Sequence, residues 1–144
     1  MELIRIAKRP AVSTHSRATI RAVCQSLVKE KVGALAVIDE GRLVGIISER
    51  DIVTRVVAPG LDPDKTPVSE IMTKSVTTVT QDTSSRQALE LMHEGRFRHL
   101  PLVDGAGHVL GMLSVRNLLR ERIGELDQEN QGLANFISAD GPGG

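Results

Sequence analysis

Two short segments of the chain place the same polar side chains immediately after an apolar run. Ser48 and Asp51 follow the tripeptide Gly-Ile-Ile, and Ser114 and Asn117 follow Gly-Met-Leu. An aspartate in the first turn after a strand can accept both hydroxyls of a ribose, while a serine hydroxyl and the free N–H groups at a helix N-terminus favour a phosphate or another polar ligand edge. These residue types therefore suit the binding of a polar small molecule.

Each of these residues also has a purely structural interpretation. Ser48 and Ser114 stand where helix N-caps belong, and a carboxylate at position 51 is favourable at the N-terminal end of its own helix. Glu49, Arg50 and Asp51 beside Ser48 do not form a catalytic set, because the chain supplies no histidine at a supporting spacing, no nucleophile elbow and no separate oxyanion loop. We therefore expect no enzymatic activity.

The two segments belong to a tandem repeat. The offset is 66 positions from Gly45 to Gly111, and 65 positions from Asp39 to Asp104 at the ends of the strands upstream. The one-residue difference falls in the turn that begins at Asp104, where chain length changes at little cost. Because each copy is a supersecondary unit that buries its apolar face against the other, the repeat determines the architecture.

Hydrophobic periodicity predicts the same order of elements in both copies. The first copy has an extended piece at 11–14, a helix at about 19–31, strands at 34–38 and 43–47, and a helix capped by Ser48. The second copy has an extended piece at 76–79, a helix at about 84–94, strands at 99–103 and 109–113, and a helix from Ser114. Strands that are apolar on both faces imply a sheet covered by helices, so the expected fold class is α/β in the α+β sense.

These elements divide the chain into five segments. They are an N-terminal segment at 1–10, the first repeat at 11–58, a breaker-rich linker at 59–74, the second repeat at 75–122, and a C-terminal helix with a disordered end at 123–144. Within the linker, Thr66 and Pro67 fit the N-cap and the first position of a short helical turn through Met72.

The last predicted helix runs past the second repeat with heptad-like spacing. Its spaced positions step alternately by four and three along the chain, and they are Leu119, Ile123, Leu126, Asn130, Leu133 and Ile137. Asn130 occupies an a-type position, as in two-stranded coiled coils that use a buried asparagine to fix register. The alternative is a helix that packs on its own domain with Asn130 exposed.

Composition limits the classes of partner and location. The 144 residues suffice for one compact domain. Lys plus Arg and Asp plus Glu both total 18, so the charge balance gives no reason to expect nucleic acid or an acidic membrane as partner. The single Cys24, the lack of a signal-peptide pattern and the lack of an apolar run near about 18 residues predict a soluble cytoplasmic protein.

Three stretches of the sequence resemble a tandem pair of cystathionine β-synthase (CBS) domains, the Bateman module. They are the doubled motif Gly-apolar-apolar-Ser-x-x-Asp/Asn, the junction Ile71-Met72-Thr73 and the stretch from Phe97 to Asp104. The resemblance covers roughly residues 11–122. It implies two β-α-β-β-α units related by a pseudo-twofold axis, with two clefts that bind adenine nucleotides or related adenosyl ligands. It also implies a regulatory role without catalysis.

The resemblance further assigns residues to each cleft. The residues assigned to the first cleft supply a carboxylate that binds the ribose, hydroxyl groups and a phosphate clamp. They are Ser48, Asp51, Thr77, Thr78, Arg98, His99 and Arg116. The second cleft takes Ser13, Gly33, Ala34, Arg50, Ser114 and Asn117. Arg98, His99 and Arg116 suit a phosphate clamp because guanidinium groups match phosphate oxygens, and a solvated edge is the alternative for Arg98 and His99.

The second cleft departs from the family pattern in two places. Asn117 replaces the aspartate and accepts hydrogen bonds less strongly. Gly33 and Ala34 supply no basic group where Arg98 and His99 stand in the first cleft. We therefore expect AMP-like ligands in the first cleft, and a second cleft that is empty, weak or suited to an uncharged adenosine.

The predicted function is that of a stand-alone ligand-sensing homodimer. Its regulatory ligand is expected to be AMP, ADP or ATP, with NAD and S-adenosylmethionine as further candidates, and it signals to an unidentified partner protein. No cofactor and no metal site are expected, because no metal-ligand spacing occurs. The apolar helix faces that carry Ile52, Val53, Leu118 and Leu119 are predicted to be covered by the second chain. The alternative is a structural interaction dimer with degenerate clefts.

Overall fold

The computed structural model describes residues 3–129, and its elements follow the repeated order. The first repeat contains β1 (Ser13–Thr14), α1 (Ile20–Glu30), β2 (Ala34–Asp39), β3 (Arg42–Ser48) and α2 (Glu49–Ile52). The second contains α3 (Ser85–Gly95), β4 (His99–Val103), β5 (Val109–Ser114) and α4 (Val115–Glu129). The extended piece predicted at 76–79 forms a single parallel bridge, from Val79 to Leu102. The α+β fold class is confirmed.

The strand pairing is the same in the two repeats. In each antiparallel hairpin, the first residue of the leading strand lies opposite the serine that ends the returning strand, Ser48 or Ser114. The register shifts after Val37 in the first hairpin and after Leu102 in the second, which are 65 positions apart. Equivalent pairing therefore delivers both serines, and the helices that follow them, to equivalent places.

Segments outside the hairpins complete each sheet, and they are exchanged between the repeats. Thr73 of the linker pairs with Ile46 of β3 through N–H···O bonds of 2.9 and 3.0 Å. Lys8, which precedes the first repeat in the chain, pairs with Met112 of β5 through bonds of 2.9 and 3.0 Å. The N-terminal segment therefore completes the second repeat, and the linker completes the first.

The two apolar cores follow this exchange. The first core includes Val68 and Ile71 from the linker, and the second includes Leu3 and Ala7 from the N-terminal segment. Leu3 and Val68 are both fully buried. Each repeat therefore buries side chains from a segment that lies outside its own β-α-β-β-α sequence, and this burial stabilises it.

Close approach of the exchanged segments explains the glycine in the doubled motif. A Cβ atom on Gly45 would lie 3.0 Å from the carbonyl oxygen of Thr73, and one on Gly111 would lie 2.8 Å from the carbonyl oxygen of Lys8. Neither distance leaves room for a side chain.

The helices that follow the two serines differ. After one turn, α2 passes into a π-helical segment, Val53–Val57, where the Ala58 N–H donates to the carbonyl of Val53 at 2.9 Å. In the second repeat, α4 continues as an α-helix to Glu129, as expected for the long final helix. Asn130, Leu133 and Ile137, which belong to the predicted heptad, lie outside the described residues.

Three details of the sequence interpretation are wrong. Ile52 and Leu118, assigned to faces that a second chain would cover, are buried in their own chain at 8% and 0% exposure. Their helix faces point into the repeat cores, whereas Val53 and Leu119 one position later are exposed. Thr66 does not cap the linker turn, because its hydroxyl donates to the carbonyl of Asp62 at 2.7 Å and the turn begins at Val68.

Within residues 3–129, no helix combines the length and the apolar composition that crossing a membrane requires.

Candidate functional site

Ser48 and Asp51 hold each other at the start of α2. The Asp51 N–H donates to the Ser48 hydroxyl at 3.3 Å, and the Ser48 N–H and hydroxyl both donate to Asp51 Oδ2 at 3.0 Å. This reciprocal capping box confirms the structural role of both residues. All three bonds leave Oδ1 of Asp51 without a hydrogen-bond partner among the described residues, so a carboxylate oxygen stays available to a ligand.

Ser114 and Asn117 repeat this arrangement at the start of α4 with one chemical difference. The Asn117 N–H donates to the Ser114 hydroxyl at 3.1 Å, and that hydroxyl donates to Oδ1 of Asn117. The atom left over on Asn117 is its amide NH₂ group, which donates hydrogen bonds and does not accept them. Equivalent positions in the two repeats therefore offer opposite hydrogen-bonding groups.

A cavity of about 760 Å³ opens between the two repeats beside Ser48 and Asp51. Its wall combines the start of α2 and the π-helical segment, the chain from Thr73 to Thr77, and residues 95–99 at the start of β4. The volume lies within the range of about 300–1,000 Å³ that is usual for small-molecule sites.

The cavity brings together most of the residues predicted for the first cleft. These are Ser48, Asp51, Thr77, Arg98 and His99. Thr78 and Arg116, predicted for the same cleft, are exposed and do not line the cavity. Arg116 lies in the first turn of α4 and does not reach the cavity wall, so the clamp on this cavity lacks it.

Two residues assigned to the second cleft line the first cavity instead. Gly33 lies beside α2, because the N–H of Glu49 donates to its carbonyl at 3.0 Å. Arg50 reaches across to the second repeat, where its guanidinium donates to the carbonyl of Arg96 at 3.4 Å. The remaining four residues assigned to the second cleft, Ser13, Ala34, Ser114 and Asn117, do not line this cavity.

Sequence reasoning missed several residues of the wall. They are Ile46, Glu49, Thr54, Arg55, Thr73, Ser75, Val76, Gly95, Arg96 and Phe97. Thr73 and Val76 were detectable, because the repeat offset aligns them with the N-terminal segment that pairs with β5. Thr54 and Arg55 belong to the π-helical segment, which an α-helical interpretation places differently around the axis.

Positive charge dominates the cavity. Four arginines line it, Arg50, Arg55, Arg96 and Arg98, against the two carboxylates of Glu49 and Asp51. Among the described residues, none of the four lies within 4.0 Å of a carboxylate oxygen. Guanidinium groups without a carboxylate partner suit a phosphate or another oxyanion.

His99 enters the wall as a half-buried imidazole at the first position of β4. Burial lowers the pKa of His99 below its usual value, and the positive charge of Arg98 lowers that pKa further. The ring is therefore neutral near pH 7 in the free protein, whereas the predicted phosphate clamp treated it as one of three basic groups.

The fold is therefore a tandem pair of repeats that exchange flanking segments, and a basic, carboxylate-bearing cavity between them is the candidate site. The CBS domain model matches residues 3–58 and 68–124, and the chain belongs to the CBS domain family. Each match begins in a flanking segment that the structure packs on the other repeat.

Relatives and solved structures agree with this assignment. The chain is 34% identical over 140 residues to the CBS domain-containing protein CBSCBSPB3 of Arabidopsis thaliana, covering 96% of this chain and 25% of that protein. The chain thus spans about a quarter of the length of the first curated relatives that it matches.

Two similar structures contain adenosyl ligands. A CBS domain protein from Pyrobaculum aerophilum complexed with AMP is 35% identical, with a TM-score of 0.75 over 81% of this chain and 89% of that chain. The CBS domain pair of protein MJ0100 in complex with 5′-methylthioadenosine and S-adenosyl-L-methionine is 27% identical, with a TM-score of 0.78 over 87% of this chain and 98% of that chain.

Proposed function

We propose that this CBS pair is a non-catalytic regulatory module that binds an adenosyl nucleotide in the cavity between its repeats and signals its occupancy to a partner protein. The observation that carries the proposal is the pairing of two binding groups in one wall. The free Oδ1 of Asp51 suits ribose hydroxyls, and Arg96 and Arg98 suit a phosphate. The AMP and S-adenosyl-L-methionine complexes of similar CBS proteins support the ligand class.

The proposed signal is a change in the relative orientation of the repeats. Asp51 belongs to the first repeat, whereas Arg96, Arg98 and His99 belong to the second. A ligand that contacts both groups favours the orientation in which they converge, and its effect equals its difference in affinity between orientations. Regulation of another protein, without chemistry at the site, follows from such a mechanism.

AMP should bind more tightly than adenosine, because Arg96 and Arg98 have no carboxylate partner within the described part of the chain. The preference for AMP should shrink in Arg98→Ala, and it should shrink with salt because exposed charges are screened over about 8–10 Å. Calorimetric titration of both ligands at two salt concentrations measures the preference. Arg86→Ala is the matched control, since Arg86 lies on α3 beside Glu90 and outside the cavity. Equal affinities for AMP and adenosine would exclude a phosphate subsite.

A structural interaction module with degenerate clefts is the alternative function, and Asn117 favours it for the second cleft. A thermal-shift panel of AMP, ADP, ATP, NAD and S-adenosylmethionine separates the alternatives. A bound ligand at about 100 times its dissociation constant stabilises the protein by about 2.7 kcal/mol, whereas a degenerate module gains nothing.

We further propose that the module is a homodimer formed through exposed apolar residues on both repeats. Val28, Val53 and Val57 in the first repeat and Leu119 and Ile123 in the second are 42–78% exposed. Lys31 and Glu49 flank the groove between α1 and α2 that includes Val28 and Val53, so its rim carries both signs of charge and can pair with a second copy.

Val53→Asp should weaken this dimer by at least tenfold, because it buries a charge in the apolar contact. Sedimentation over a range of concentrations measures the association. Leu61→Asp, an exposed position in the linker that does not line the groove, is the matched control. A wild-type monomer at every concentration would refute the dimer.

The cytoplasmic location expected from the sequence stays a prediction.

A further inference from the structure

Gly33 is the point where the two repeats bring a carboxylate and an imidazole together. A Cβ atom on Gly33 would lie 2.9 Å from Oε1 of Glu49 and 3.1 Å from Nε2 of His99. Because both atoms lie close to one point, they are at most about 6 Å apart. Glu49 begins α2 of the first repeat and His99 begins β4 of the second, so this approach spans the junction between the repeats.

No ion pair or hydrogen bond joins Glu49 and His99 in the free protein. Among the described residues, one ion pair involves a histidine. It joins His108 to Asp104, and neither residue lines the cavity. An acid and an imidazole that lie near each other without pairing agree with a neutral imidazole. The imidazole of His99 can therefore accept one proton at this junction, beside the carboxylate of Glu49.

The charged groups that line the cavity together with His99 come from two parts of the chain. From α2 and the π-helical segment they are Glu49, Arg50, Asp51 and Arg55, and from the chain before β4 they are Arg96 and Arg98. The neighbouring strand β5 has no charged residue, and α3 directs Ala88 and Met92 into the second core. The helix α4 begins beside His99 and carries Arg116, which is exposed and lies outside the cavity wall. The balance of charge around His99 is positive until an anion enters the cavity.

We propose, on the basis of the nucleotide function proposed above, that an anionic ligand binds in this cavity together with one proton, which His99 takes from solvent and holds between the ligand and Glu49. An entering phosphate offsets the positive charge of Arg98, and Glu49 stabilises the imidazolium from the other side. The ligand therefore raises the affinity of His99 for a proton, and by reciprocity the proton raises the affinity for the ligand.

The direction of the pH dependence follows from this linkage. Burial and Arg98 lower the pKa of His99 in the free protein, and the bound anion raises that pKa. The gain in ligand affinity from the proton is fully present below the pKa of His99 in the free protein. This gain is lost as the pH rises through the pKa of His99 in the complex. Affinity should therefore rise by up to about tenfold per pH unit as the pH falls between these two values.

Calorimetric titration with AMP in two buffers of very different ionisation enthalpy counts the protons. The titration is made at about pH 7.5, where the phosphate of AMP is almost fully ionised because its second pKa is about 6. The wild type should take up a substantial fraction of one proton per AMP bound. His99→Gln should lose this uptake, and Glu49→Gln, a change in an exposed side chain, should reduce it. His93→Gln, exposed on α3 and outside the cavity, should retain it.

The outcomes separate this proposal from the one on which it rests. AMP binding without buffer dependence, or with uptake that persists in His99→Gln, would overturn proton-linked binding and leave the nucleotide function intact. A wild-type chain that binds AMP at no pH between about 6 and 8.5, the range over which a histidine titrates, would overturn the AMP site and the proton linkage together. Thermal unfolding of each variant verifies that it is folded, and the absence of proton uptake in the wild type would overturn the proposal without any variant.

Discussion

Asp51→Ala should reduce the affinity for AMP by at least tenfold, whereas Asn117→Ala should change it little. Oδ1 of Asp51 is a carboxylate oxygen with no hydrogen-bond partner among the described residues, in the wall of the cavity. Losing a hydrogen bond to a charged group costs about 1.5–3 kcal/mol, which corresponds to about 10- to 150-fold in affinity. Calorimetry on both variants measures the difference.

The capping role of Asp51 requires a second variant. Alanine also removes the capping box with Ser48, and loss of a cap costs about 0.5–2 kcal/mol in stability. Asp51→Asn keeps an oxygen that can accept from Ser48 but replaces the charged acceptor with an amide, as in Asn117 of the second repeat. If Asp51→Asn binds AMP like the wild type, the carboxylate acts only as a cap and the ribose site is wrong.

Leu3→Ala should destabilise the protein by about 2–5 kcal/mol, because it leaves a cavity in a fully buried part of the second core. Urea unfolding measures this loss. Hydrogen exchange locates it, and the amides of β4 and β5 should lose protection before those of β2 and β3.

Two variants serve as controls for Leu3→Ala. Leu61→Ala, at 42% exposure in the linker and outside the proposed dimer contact, should destabilise the protein far less than Leu3→Ala does. Val68→Ala, in the equivalent linker turn, should act on the first repeat instead. Protection lost first in β2 and β3 of Leu3→Ala would contradict the exchange of segments.

The sequence was sufficient to predict the elements that depend on local pattern. The strands His99–Val103 and Ala34–Asp39 are apolar except for one terminal residue each, and Ser48 and Ser84 are strong N-cap residues at the expected helix starts. In these cases the signal lies within a few residues of the structure that it specifies, so the boundaries agree to one or two residues.

Features that depend on distant contacts were not predictable in the same way. The π-helical turn at Val53–Val57 carries only the weak signal of β-branched residues, which do not favour a helix. The position of Arg50 in the first cavity depends on the carbonyl of Arg96, which is far along the chain. The depressed pKa of His99 depends on burial between repeats, which spacing in the sequence does not reveal.

The exchanged segments also determine the order in which the two repeats can be completed during synthesis. The first repeat needs only residues up to Thr73, which follows β3 closely in the chain. The second repeat waits for β5 to meet Lys8 across about 100 residues, and closure of such a long loop slows folding. A chain emerging from the ribosome therefore completes its first repeat first and then closes the second repeat on the earliest residues synthesised. The wall of the ligand cavity draws on residues of both repeats, so a chain that has completed only the first repeat lacks the site.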